Sequence, residues 1–137
     1  MAAAAVELFI GQGIRTSLET NGPDLLTKEA VCLKASCGAG HLDSIFRGLA
    51  RIDLEKPAPS FEPIRERLEE MEDRESLCTI FFSADARPEF QQLLEKFRKE
   101  KREFIWFCPV NRIIRPEINA GIRPYTRLID VEEGGRL

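Results

Sequence analysis

The chain has 137 residues, of which 43% are hydrophobic and 31% charged, with nine Gly and eight Pro. These proportions exclude collagen-like and low-complexity classes and describe a chain about one domain long that can bury a core and coat it. A net charge of −3 is too small to argue by itself for a polyanionic partner or a disordered acidic tail.

The longest uncharged stretch, Ser76 to Ala84, has nine residues, about half of what a bilayer span requires. The start meets Glu7 after a short apolar run and carries no basic segment, so no secretory leader is expected. The expectation is a cytoplasmic protein with no membrane partner. Cys32, Cys37, Cys78 and Cys108 then read as reduced thiols rather than two disulfides. Cys78 and Cys108 sit in apolar runs, where Cys packs as a small hydrophobe. Charge is unevenly spread: residues 1–86 carry −6, residues 87–127 carry +5 and the last ten carry −2.

In chain order, Ala5 to Ile10 is a short apolar run before Gly11-Gln12-Gly13 and predicts a strand ending in a turn. Thr16 to Glu19 has capping-box spacing, but Asn21-Gly22-Pro23 follows, which leaves room for one helical turn at most. Leu26, Ala30, Leu33 and Cys37 recur at helical spacing, so residues 23–36 are read as helix, opened by Pro23 and closed by Gly38. The rival is a strand with Val31 and Leu33 on one face. Leu42, Ile45, Phe46, Leu49 and Ile52 form the apolar stripe of a second helix, stopped at Lys56-Pro57-Ala58-Pro59. Ser60 is a good cap for a third, acidic helix running to Glu75, with Phe61, Ile64, Leu68 and Met71 on its buried face.

Residues 76–109 form the clearest unit. Leu77 to Phe82 and Phe104 to Cys108 are continuous apolar runs, and Ala86 to Lys101 between them is an amphipathic helix with Phe90, Leu93, Leu94 and Phe97 on one face. This is a βαβ pattern, with parallel strands joined by a right-handed crossover. Neither run alternates polar with apolar, so both sheet faces are expected to be covered. A short helix is expected within Asn111 to Asn119, broken at Pro116, then an edge strand at Tyr125 to Val131 and a flexible Gly134-Gly135 end. The whole chain, 1–137, is read as one α/β domain with a short, mostly parallel sheet of about four strands covered by helices.

Motifs for chemistry are sparse. The turns at Gly11-Gln12-Gly13 and Gly38-Ala39-Gly40 lack the third glycine of a dinucleotide fingerprint, with Thr16 and Asp43 in its place. They read as tight turns and helix caps. Cys37 and His41 are a Cys-x-x-x-His pair without the further ligands that zinc requires. With one histidine and no Gly-x-Ser-x-Gly, no catalytic triad assembles. No catalytic residue, metal or cofactor is assigned.

Topology supplies a candidate site instead. Ligands of open parallel sheets sit beyond the carboxyl ends of the strands, which points to Ser83, Asp85, Arg87, Asn111 and Arg112 as a rim for a small anion or peptide end, joined by Gln12 if the first strand runs the same way. Each has a plainer role: Ser83 and Asp85 as caps, Asn111 as a turn former, the arginines as solvated surface. The basic segment 96–127 supplies a second candidate, with Lys99, Arg102, Arg115, Arg123 and Arg127 as nucleic-acid contacts. The sequence therefore reads as a small non-catalytic binding or interaction protein, with a protein partner or self-association. A nucleic-acid-associated protein and an anion binder are the alternatives.

Overall fold

The computed structural model of the chain describes residues 2–55, 61–70 and 78–131. They fall into two units, Met1–Glu70 and Met71–Leu137. The fold class is α/β, with helices in both units and a parallel sheet in the second. Lys56 to Ser60, Met71 to Leu77 and Gly134-Gly135, to which a helix stop, a helix cap, a buried Met, a strand start and a flexible end were ascribed, lie outside the described residues.

In the first unit the opening run is helix α1 (Ala2–Gly11), not the expected strand. The alanines at its start are the strongest helix formers, and they lengthen a short apolar run to ten residues. Gly13, at φ 77°, ends the helix. The Ile14 amide donates to the Phe9 carbonyl at 2.9 Å and the Gly13 amide to Ile10 at 3.0 Å, a left-handed cap that favours glycine. Strand β1 (Thr16–Pro23) follows where a helical turn was expected, and it pairs antiparallel with β2 (Ala30–Ser36). The helical reading of 23–36 is thus overturned in favour of its rival. Val31 and Leu33 face the core and Leu26 is exposed. Helix α2 (Ala39–Ala50) packs Ile45, Leu42 and Leu49 against Val6 and Ile10 of α1 with Leu18 and Leu33. Helix α3 (Glu62–Glu70) buries Ile64 and Leu68, and its Arg67 pairs with Glu19 of β1 at 2.7 Å.

In the second unit β3 (Thr79–Phe82), helix α4 (Pro88–Lys99) and β4 (Phe104–Val110) form the expected βαβ unit, with β3 and β4 parallel. Strand β5 (Thr126–Asp130) joins as an edge strand, also parallel, in the order β3-β4-β5. The parallel sheet therefore has three strands, and β1 and β2 form a separate antiparallel pair rather than adding to it. No helix forms over 111–119. The Asn111 carboxamide accepts from the Ile113 amide at 2.8 Å, a local bond that competes with helix, and Pro116 lacks a donor. This connection holds a hydrogen-bonded turn at Asn119–Ile122 and a 3-10 turn at Arg123–Tyr125.

Register sorts the side chains of this sheet. Phe81, Phe104, Trp106 and Cys108 are buried on one face beneath Phe90, Leu93, Leu94 and Phe97 of α4. The rings of Phe90 and Trp106 meet edge-on at 5.0 Å. Ile80, Phe82, Ile105, Phe107, Pro109 and Ile129 share the opposite face. Among the described residues of this unit no helix lies over that face, contrary to the expectation that both would be covered. The handedness of crossovers explains this. Two successive parallel connections running the same way across a sheet, each right-handed, must both lie on one side. The connection 111–125 joins α4 there, where the buried Gln91 amide donates to the Ala86 and Glu117 carbonyls and accepts from the Asn119 amide.

Candidate functional site

The parallel register puts Ser83, Asp85 and Arg87 beyond the carboxyl end of β3, and Asn111 and Arg112 beyond that of β4. The two groups do not close on a common point. Phe82 is opposite Phe107, so Asn111 lies three residues further along than Ser83, about 10 Å of strand. Within the β3 group the polar atoms satisfy one another. The Ser83 hydroxyl accepts from the Asp85 amide at 3.1 Å, and the Ser83 carbonyl accepts from the indole of Trp106 at 2.8 Å. Asp85 accepts from the Arg87 amide at 3.0 Å and takes its guanidinium in a two-pronged pair at 2.9 and 2.7 Å.

Arg87 holds the Asp85 carboxyl below the usual carboxylate range, and Asp85 in turn pushes Arg87 up. The cation meant to attract an anion is therefore already neutralised. Neither Ser83 nor Asp85 caps α4, whose N-cap is Arg87 followed by Pro88. Asn111 is spent on its turn. Arg112 is exposed. Gln12 follows α1 and stands at no strand end.

The basic segment is spread along the sheet rather than gathered. Arg102 stacks on the Phe97 ring at 3.9 Å, ahead of β4. Lys99 is exposed at the end of α4. Arg115 pairs at 2.6 Å with Asp130, which is registered with Val110 at the far end of β4. Phe104 and Val110 are separated by about 20 Å of strand. Arg123 donates to the Ile118 carbonyl at 3.0 Å, and Arg127 to the carbonyls of Pro124 and Thr126 at 2.9 and 3.1 Å.

The thiols do not converge either. His41 meets the Thr16 carbonyl at 2.6 Å, and the Cys37 thiol lies 3.9 Å from the Ile10 carbonyl. Among the described residues no group of three His, Cys, Asp or Glu is placed to hold a metal ion. Cys108 is buried as expected, but Cys78 is exposed ahead of β3. Burial pushes the thiols of Cys32, Cys78 and Cys108 up, away from the thiolate form that reacts.

A cavity of about 480 Å³ lies between the 116–119 segment and β5, lined by Glu117, Asn119, Arg123 and Thr126 with Pro116, Ile118 and Leu128. Its two best donors are occupied: Arg123 binds the Ile118 carbonyl, and the Thr126 hydroxyl binds Ile122 at 2.9 Å. The sequence reading missed the feature that stands out, the apolar face opposite α4. There the rings of Phe82 and Phe107 stack at 5.4 Å, with Phe82 38% and Ile105 37% exposed. The signal that could have found it is the strand order itself, since sequential parallel strands leave one face without a crossover. No helix among the described residues is long and apolar enough to cross a membrane. No family model, curated protein or solved structure is significantly similar to this chain.

Proposed function

We propose that this chain is a non-catalytic protein-interaction module whose contact surface is the open face of the β3-β4-β5 sheet. One observation carries the reading: Ile80, Phe82, Ile105, Phe107, Pro109 and Ile129 share a face over which, among the described residues of their own unit, no helix lies. Parallel sheets are ordinarily covered on both sides. The competing readings have less support. An anion at the strand ends would have to displace Asp85 from Arg87, and a nucleic acid would meet cations spread from one end of β4 to the other, with Arg115 already paired to Asp130.

The test is a double substitution, Phe82→Thr with Ile105→Thr, in the full chain. Both side chains are more than a third exposed, so folding stability is expected to fall by about 1 kcal/mol or less per site. Retention of a partner, read by light scattering and pull-down, is expected to be lost. A variant that stays folded and keeps its partner overturns this assignment.

A further inference from the structure

We draw no further inference here: the strongest candidate, the exposed loop tip of Ile113 and Ile114 between Arg112 and Arg115 beyond the end of β4, is an apolar patch for which nothing in the structure shows what covers it.

Discussion

Gln91 shows how one buried polar side chain can organise a connection that has little regular structure. Its amide reaches two carbonyls and one amide, at 2.7, 2.9 and 2.8 Å, and is almost wholly buried. Gln91→Leu would leave those three backbone groups without their partner. The expected loss is about 2–4 kcal/mol, read from the urea midpoint. Gly48 is constrained by space rather than by conformation. A Cβ there would stand 2.9 Å from Val31 Cγ1, so α2 sits close on β2. Gly48→Val is expected to cost about 1–3 kcal/mol through overpacking, despite valine's better helix propensity.

Asp24 joins the end of β1 to the end of α2. The Leu26 amide foremost, with the Thr27 amide and Arg51, holds its carboxyl below the usual carboxylate range against the opposing effect of burial. Asp85 is shifted the same way by Arg87. A carboxyl lowered on folding stabilises the fold above its unfolded value and loses that contribution as pH falls through the folded one. Because an ordinary aspartate titrates at about 3.9, melting temperature is expected to hold at neutral pH and drop below about pH 4. Asp24→Asn is expected to flatten part of that drop. An unchanged profile would show that Asp24 contributes nothing to it.

Among the elements, α4 and the strands beside it were legible because each carries its own signal. Phe90, Leu93, Leu94 and Phe97 keep helical spacing, and the runs before and after are short, aromatic and β-branched. Leu94 has no exposed surface, and Leu94→Ala is expected to cost about 2–5 kcal/mol by leaving a cavity. The misread elements have weaker local signals. Residues 30–36 satisfy both periods, and what decides is β1: Thr20 bonds the Val31 carbonyl at 2.8 Å, and Leu18 pairs with Leu33. That partner strand lies on the far side of a turn that sequence spacing does not weigh. At α1 the error was of length, since four alanines turn a strand-sized run into a helix.

For the whole molecule, the charge asymmetry of the sequence does not become a basic patch. Of the five cations proposed for nucleic acid, four are committed to a ring, a carboxylate or backbone carbonyls, and Arg115 lies at the opposite end of β4 from Arg102. A single-stranded oligonucleotide is therefore expected to bind no tighter than the non-specific range of about 10⁻⁴–10⁻⁶ M at physiological salt, as read by fluorescence anisotropy. A tighter, salt-steep isotherm would reinstate that reading.

The sequence alone determined the α/β class, the βαβ unit of the second half and the edge position of β5, because hydrophobic period and β-branched runs act within a few residues. Ser83, Asp85 and Arg87 do follow β3, and Asn111 and Arg112 do follow β4, but the two groups do not close into the expected rim. Only the tertiary structure decided which partners the candidate cations of both proposed sites meet. Arg87 with Asp85, Arg115 with Asp130 and Arg127 with its carbonyls are choices among many reachable partners, and sequence spacing does not rank them. The open sheet face belongs to the same class of fact: it follows from the order in which strands lie side by side, a relation between segments that no segment carries by itself.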